Sequence, residues 1–397
     1  MKKIIISVFL VCVMLLGTVI PAFAAGGSAK LHFDKDGEFK ILHICDCQDT
    51  FPAQQKMLTY INYMLEIYEP DLVVLGGDNT VGPKETKDDA IKELVSPFVE
   101  HKTYFTLVFG NHDHEQGVDK EALLKMYQKH GGKYCLAYDA VPELSGTATH
   151  NLPVYSSDGK KIKFNLWMFD SNTYLEDENG KRLGYDSVRE DQIEWYNETY
   201  KAIKTEAGED VYSLAFQHMI PPDVYEAMFP SVKYPLSPIT ETYNNGTHYP
   251  IIFPDTSAFT GHIYEAPSPG VINYGQVDAM AENGDVLSVL VGHDHVNTYE
   301  TEYKGIKLIN TPGVSYNAYG KEVVRGSRLI TINENSTDTF ESEVITVNEL
   351  AKENQEFREA MDISRFTAGF WVFMDKFALF FAKLSGVIAW VIYLNID

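Results

Sequence analysis

Five apolar segments of this sequence each end in side chains that could hold metal ions. The candidate ligands carry only carboxylate, amide or imidazole groups: Asp46, Gln48, Asp78, Asn111, His218, His293 and His295. Oxygen and imidazole donors suit borderline and hard divalent ions such as Mn, Fe or Zn. These ligands are too many for one tetrahedral site, whereas two ions about 3.5–4 Å apart, bridged by one carboxylate, would use them all. The residue types therefore favour a centre of two divalent metal ions.

Strands and helices of the predicted fold must bring these ligands together. Apolar runs predict strands that end just before the ligands, at residues 40–45, 72–75, 103–109, 211–216 and 286–291. Apolar residues at helical spacing follow each of the first three strands, at residues 50–68, 84–95 and 119–130. Alternating strands and helices indicate parallel pairing, and ligands of such sheets collect beyond the carboxyl ends of the strands. Asp46 and Gln48, two residues apart, then face the same way, as do His293 and His295.

The composition limits the partners of the chain. It has 397 residues, of which 45% are hydrophobic, so a sizeable core can form. The net charge of −23 repels nucleic acid at long range, so no nucleic-acid partner is expected. An anionic small-molecule substrate would have to be attracted locally, by bound cations. Cys45, Cys47 and Cys135, the cysteines outside the N-terminal segment, are odd in number and predict no disulfide framework.

The N-terminal segment has the features of an export signal. Lys2 and Lys3 precede an apolar run over residues 4–20, and Ala22-Phe23-Ala24 follows it. This pattern predicts a signal peptide over residues 1–24 and a secreted or cell-surface protein. The alternative is an uncleaved membrane anchor, although the apolar run is short for a span.

The C-terminal segment also differs from the rest of the chain. We predict one catalytic-type domain over residues 30–348 and a helical extension over residues 349–397. Residues 366–394 are mostly apolar and aromatic but are interrupted by charges, Lys383 among them. Three interpretations stay open: a helix at the membrane interface that makes peripheral membrane contact, a helix docked on the protein or on a second copy, and a true anchor.

The motifs, in their order along the chain, resemble those of the calcineurin-like metallophosphoesterase superfamily. They are Asp46-x-Gln48, Gly77-Asp78-Asn79, Gly110-Asn111-His112-Asp113, the lone His218 after a strand, and Gly292-His293-x-His295. The closer similarity is to the purple-acid-phosphatase-like branch, over residues 40–347. The resemblance implies an α/β fold, a four-layer α/β/β/α sandwich with two mixed central sheets.

The resemblance also implies roles for single residues. One metal ion would be held by Asp46, Gln48, Asp78 and His295, and the other by Asp78, Asn111, His218 and His293, with Asp78 as the bridge. His112 would contact the phosphate and protonate the leaving group, and Asp113 would orient His112. Two positions depart from the pattern. Gln48 is a neutral amide where many members have His or Asp, and Val81 stands where the purple enzymes have a tyrosine ligand.

These observations predict an exported phosphoester hydrolase, in which a hydroxide held between two metal ions attacks phosphorus in line. Small phosphomonoesters are the expected substrates. The alternatives are a phosphodiesterase of the same fold and a metal-loaded surface binding protein without turnover. Asn111 and His112 are expected to contact the substrate, and His114 is either a further substrate contact or an exposed bystander.

Overall fold

The computed structural model of the protein describes residues 29–229, 240–242, 248–250, 255 and 257–394. The predicted signal peptide lies outside these residues. The described strands are β1 (Leu31–His32), β2 (Glu38–Ile44), β3 (Leu72–Gly76), β4 (Tyr104–Val108), β5 (His150–Tyr155), β6 (Ile162–Met168), β7 (Tyr174–Glu176), β8 (Arg182–Tyr185), β9 (Ser213–Phe216), β10 (Thr240–Thr242), β11 (His248–Pro250), β12 (Phe259–Thr260), β13 (Val286–Val291), β14 (Glu300–Tyr303), β15 (Ile306–Asn310), β16 (Gly326–Asn333) and β17 (Glu341–Thr346). The described α-helices are α1 (Gln55–Tyr68), α2 (Lys87–His101), α3 (Lys120–Gly131), α4 (Glu190–Ala207), α5 (Val224–Met228), α6 (Gln276–Asn283), α7 (Val347–Glu353), α8 (Gln355–Ala360) and α9 (Arg365–Leu394).

Two large sheets form the centre of the described structure. One has five strands in the order β17-β16-β2-β3-β4, and the other has eight in the order β1-β5-β6-β9-β13-β15-β14-β12. In the first sheet β2, β3 and β4 run parallel, whereas β16 and β17 pair antiparallel. The second sheet is also mixed, with β6, β9, β13 and β15 parallel.

Successive side chains of each central strand point alternately into two different cores, one between the two sheets and one under the helices. In β3, Leu72 and Val74 belong to the core between the two sheets, while Val73 and Leu75 belong to the core under the helices. Leu290 of β13 likewise faces the other sheet, and its neighbour Val289 faces the outer helices. Both faces of each strand are therefore buried, which explains why these segments read as continuous apolar runs. The predicted α/β/β/α sandwich with two mixed sheets is confirmed.

Two predicted helices begin or end elsewhere in the structure. The helix predicted from residue 50 begins at Gln55, because the carboxylate of Asp49 accepts the backbone N–H groups of Thr50 and Gln54 and holds a non-helical turn. The helix predicted to end at residue 95 continues to His101, through Pro97. Pro97 has no backbone N–H to donate to the Glu93 carbonyl oxygen. The hydroxyl of Ser96 donates to that oxygen instead.

The C-terminal helices pack on the core beside α1. Leu350 of α7, Phe357 of α8 and Ala368 of α9 all belong to the cluster that contains Tyr60 and Met64 of α1. Within the residues that the structure describes, no helix combines the length and hydrophobicity that crossing a membrane requires.

Candidate metal centre

The predicted ligands follow the carboxyl ends of five strands, three in one sheet and two in the other. Asp46 and Gln48 follow β2, Asp78 follows β3, Asn111 follows β4, His218 follows β9, and His293 and His295 follow β13. In each sheet these strands are neighbours and parallel, so their carboxyl ends lie along one edge. The centre is therefore assembled where the edges of both sheets meet.

Several ligands occupy backbone conformations that non-glycine residues rarely adopt. The φ angles of Asp46, Gln48, Asp78 and His293 are 52°, 38°, 50° and 71°. Each such residue in the left-handed region costs on the order of 1 kcal/mol or more, and such strain clusters at functional sites. A Cβ at Gly110 would lie 2.2 Å from Oδ1 of Asp78, so only glycine fits against the central carboxylate.

Asp78, His218 and His293 each offer one ligand atom, and these atoms lie within 4.8 Å of one another. Nε2 of His218 lies 3.2 Å from Oδ2 of Asp78 and 4.0 Å from Oδ1 of Asp46. Nε2 of His295 lies 3.3 Å from the same Asp46 oxygen. The structure thus brings the ends of β2, β3, β9 and β13 to one place, with Asp78 and Asp46 between the imidazoles.

Backbone carbonyls orient two of these imidazoles. Nδ1 of His218 lies 2.9 Å from the Gly76 carbonyl oxygen, and Nδ1 of His295 lies 2.9 Å from that of Tyr319. Nδ1 therefore donates in both rings, and Nε2 is directed at the carboxylates. In metal-ligating histidines, a hydrogen bond from the ring nitrogen that does not bind the metal fixes the orientation of the ring.

Three buried ligand atoms have no hydrogen-bond partner among the described residues: Oδ1 of Asp46, Oδ1 of Asn111 and Nε2 of His218. A buried polar atom without a partner costs about 1–3 kcal/mol, so a group of them in one place calls for a ligand. All three atoms belong to the predicted ligand set, and all are oxygen or imidazole nitrogen. The residues fit divalent cations.

The amide of Gln48 is turned differently from the prediction. Its Nε2 donates to Oδ2 of Asp78 at 3.0 Å, so the nitrogen faces the centre. As a metal ligand, Gln48 has to present its oxygen instead, which requires the amide to turn over.

Charges within the centre shift the pKa values of its residues. Burial alone would raise the pKa of the Asp78 carboxyl, but the positive charge of His218 outweighs burial and holds that pKa well below its usual range. Burial would also lower the pKa of His218, but the negative charge of Asp78 prevails and raises it. Burial, with the charge of His218 adding to it, lowers the pKa of His293 to about 3, so this imidazole is neutral at physiological pH. Neutral imidazole is the form that ligates a metal.

The structure corrects the role predicted for Asp113. Nδ1 of His112 lies 2.7 Å from Oε2 of Glu115, so Glu115 orients His112. The two oxygens of Asp113 instead accept three backbone N–H groups, at 2.8, 2.9 and 3.1 Å, from Gly110, Asn79 and Thr80 respectively. Asp113 is fully buried and ties the loop after β3 to the loop after β4. Burial raises its pKa to about 6, with the charge of Asp78 adding to the effect.

Glu115 could have been found from the sequence. It lies three residues after His112, a spacing at which side chains meet on one helical turn. Adjacent residues such as His112 and Asp113 rarely point the same way, and here the second of them turns into the protein.

The β7–β8 hairpin covers one side of the centre. The Nδ2 group of Asn111 donates to the hydroxyl of Tyr174 at 3.0 Å, and the ring of Tyr185 packs at 4.5 Å against that of His293. The guanidinium of Arg182 lies 3.2 Å above the Tyr174 ring. The sequence signal for this hairpin is Asn179-Gly180, a pair typical of turns, and Gly180 takes the positive φ of the turn.

Tyr319 packs on another proposed ligand, and His114 lies three residues after Asn111 in the chain. The ring of Tyr319 stacks on that of His295 at 4.1 Å, and its hydroxyl donates to Glu265 at 3.1 Å. His114 is partly buried, and its Nδ1 has no partner among the described residues. The rim thus combines aromatic rings with Arg182 as a nearby cation.

Comparisons with known proteins show the family of the chain. A family model described as calcineurin-like phosphoesterase matches residues 39–297. A relative from Arabidopsis thaliana named "Probable inactive purple acid phosphatase 29" is 29% identical, over 79% of this chain and 81% of its own. "Probable inactive purple acid phosphatase 14" of the same plant is 28% identical, over 80% of each chain. The solved structure of a dimetal phosphatase from Danio rerio is 14% identical, covering 78% of this chain and 98% of that one, with a TM-score of 0.43.

Proposed function

Because the chain belongs to the calcineurin-like phosphoesterase family, we propose that it hydrolyses phosphoesters with two divalent metal ions at the centre described above. One observation carries the proposal. Asp78, His218 and His293 meet from both sheets, while buried atoms of Asp46, Asn111 and His218 have no hydrogen-bond partner among the described residues. The ions we propose are Mn, Fe or Zn.

Each residue of the centre has a proposed task. Asp46, Gln48, Asp78 and His295 would hold one ion, and Asp78, Asn111, His218 and His293 the other. When bound, such ions lower the pKa of water from about 15.7 toward 7 and offset negative charge on phosphoester oxygens. The amide of Asn111, fixed by Tyr174, is positioned to bind one of those oxygens.

His112 is the proposed proton donor to the leaving oxygen. Its ring is partly exposed, with 38% of the side chain accessible, so it can reach a substrate. Glu115 holds Nδ1, which leaves Nε2 free to transfer a proton. The backbone N–H of His112 donates to Asp78 at 2.7 Å, so the turn that carries the ring is anchored to the proposed metal bridge.

Small phosphomonoesters are the substrates we propose. A monoester dianion carries one more negative charge than a diester. A positively charged side chain near the metal ions therefore strengthens binding of the monoester more than binding of the diester. Arg182, which stacks on Tyr174 at the rim, supplies such a cation. A phosphodiesterase is the rival within the same chemistry.

A metal-loaded binding protein without turnover is the second candidate. The amide nitrogen of Gln48 faces Asp78, which weakens the case for a tightly held ion there, and the two plant relatives are named probable inactive. The His112–Glu115 pair supports turnover instead, because a binding protein has no use for an oriented proton donor.

We further propose that the protein is exported, on the strength of the signal-like sequence over residues 1–24. Recovery outside the cytoplasm of a chain whose N-terminus is Ala25 would support export. An intact N-terminus on cytoplasmic protein would contradict it.

The activity test combines elemental analysis of the native protein with rates on p-nitrophenyl phosphate and bis-p-nitrophenyl phosphate. We expect about two metal ions per chain and faster hydrolysis of the monoester. Faster hydrolysis of the diester would favour the phosphodiesterase. A fully loaded protein that hydrolyses neither compound, nor any member of a broader phosphoester panel, would be the binding protein.

A further inference from the structure

Helix α9 presents a stripe of phenylalanines to solvent. Phe366, Phe370, Phe373, Phe377 and Phe380 follow one another at steps of three or four residues, so they lie on one face of the helix. Their exposed fractions are 82%, 44%, 61%, 45% and 62%. We call these five residues the Phe stripe. From it we infer that α9 docks the protein on the surface of a phospholipid bilayer.

The opposite face of α9 is fixed to the protein. Ala368 is fully buried and Val372 is 7% exposed, both on the side away from the Phe stripe. Asp375, on the same buried side, lies 2.6 Å from Nε2 of His262, which ties α9 to the segment after β12. The stripe therefore faces outward because the helix is held from behind.

The exposed area is large for a soluble protein and small for a dimer. The five exposed fractions together amount to roughly three whole phenylalanine side chains, about 600 Å². Contiguous apolar patches of this size mark interaction sites. A stable dimer buries about 800 Å² on each partner, more than the whole stripe supplies. Two copies would also bring together chains that each carry a net charge of −23.

The charges beside the Phe stripe suit lipid headgroups. Arg365 and Lys376 are exposed and lie eleven residues apart, three helical turns, so both flank the stripe along the same edge. Cations at the edge of an aromatic face are typical of helices that lie in the membrane interface, where the charges meet phosphate groups and the rings enter the acyl region.

The sequence of the rest of α9 points to the same partner. After Lys383 the sequence carries no charged residue up to Leu394. A segment without charges suits the apolar side of a lipid interface, which offers no partner for a charged side chain. We therefore assign the bilayer surface, and not a second copy, as the occupant.

The test uses sedimentation with phosphatidylcholine vesicles. The protein is assayed as the full chain and as the form that begins at Ala25, so that any contribution of the N-terminal apolar run is separated. The stripe variant carries Phe366→Gln, Phe370→Gln and Phe373→Gln, since glutamine keeps helix propensity. The matched control carries Phe51→Gln and Ile67→Gln, which are exposed at 43% each but lie elsewhere.

We expect the form beginning at Ala25 to bind the vesicles, the control to bind equally, and the stripe variant to bind at least about 100-fold more weakly. Because the attraction is mainly apolar, 0.5 M salt should change the binding little. Circular dichroism of the stripe variant checks that it is folded.

Two results would overturn the inference. One is equal binding by the stripe variant and the parent. The other is failure of the parent to bind, particularly if it is a dimer in solution and the variant a monomer, which would assign the stripe to a second copy. Hydrolysis of a soluble phosphoester should be unaffected by the stripe substitutions, so this test stands apart from that of the proposed activity.

Discussion

The role of Asp113 gives the sharpest prediction. Asp113→Asn keeps the size of the side chain but leaves only one oxygen to accept the three backbone N–H groups. If the remaining oxygen accepts the N–H groups of Asn79 and Thr80, the N–H of Gly110 faces the new side-chain NH₂ group, which can only donate. One buried, unpaired donor costs about 1–3 kcal/mol of the free energy of unfolding. For a chain of this length that lowers Tm by about 1–4 °C.

Metal binding should weaken in the same variant. Asp113 joins the loop that carries Asp78 to the loop that carries Asn111, so its replacement loosens two proposed ligands at once. Substitutions in supporting contacts of this kind typically reduce metal affinity about 10–100-fold. The assays are urea denaturation, thermal unfolding and elemental analysis after dialysis against graded metal concentrations.

Glu115→Gln is the matched control for Asp113→Asn, since both replace a carboxylate by its amide. Glu115 is partly exposed and contacts His112, so we expect reduced turnover with unchanged Tm and metal content. The reasoning is refuted if Asp113→Asn keeps the parent's stability and metal affinity and loses only turnover. That outcome would return Asp113 to the role of orienting His112.

Further predictions concern the proton donor, a buried histidine, the metal ions and a missing tyrosine. His112→Ala should lower kcat about 100-fold or more while metal content persists, and unchanged kcat would remove its assigned role. Burial lowers the pKa of His150 to about 4. Because that pKa is depressed relative to the unfolded state, its contribution to stability is present above pH ~6.5 and is lost as the pH falls toward 4, by up to about 1.4 kcal/mol per pH unit. Denaturation of His150→Gln should show a flatter pH dependence, and an equal slope would contradict the assignment. Chelation should abolish hydrolysis and lower Tm, and added Mn should restore both; activity that survives chelation would argue against metal catalysis. Iron-loaded protein should show no tyrosinate charge-transfer band in the visible spectrum, because Val81 stands where the purple enzymes have tyrosine, and such a band would show that another tyrosine ligates the metal.

Local pattern was enough to predict the strands that carry the ligands. Leu72–Gly76 and Val286–Val291 are buried on both faces, and such strands read as unbroken apolar runs that stop where polar side chains begin. Helix ends were predicted less well, because they depend on single side-chain contacts. The carboxylate of Asp49 delays the start of α1, and the hydroxyl of Ser96 lets α2 pass Pro97.

Other contacts around the centre were beyond the reach of sequence pattern. The three-residue spacing points from His112 to Glu115, but nothing local shows that Asp113 turns inward to three backbone amides. That outcome depends on where the loop after β3 lies relative to the loop after β4, which is fixed by the pairing of the two strands. The same holds for Tyr174, whose contact with Asn111 spans sixty-three residues of the chain.

The sequence by itself determined which groups could ligate a metal and that they follow strands, because residue chemistry and alternation of burial are local properties. Only the tertiary structure decided that Asp46 and Asp78 lie among His218, His293 and His295, since those residues come from two different sheets. It also decided which face of α9 is exposed, because the apolar residues of that helix lie on both sides and packing against α7 and His262 covers only one of them.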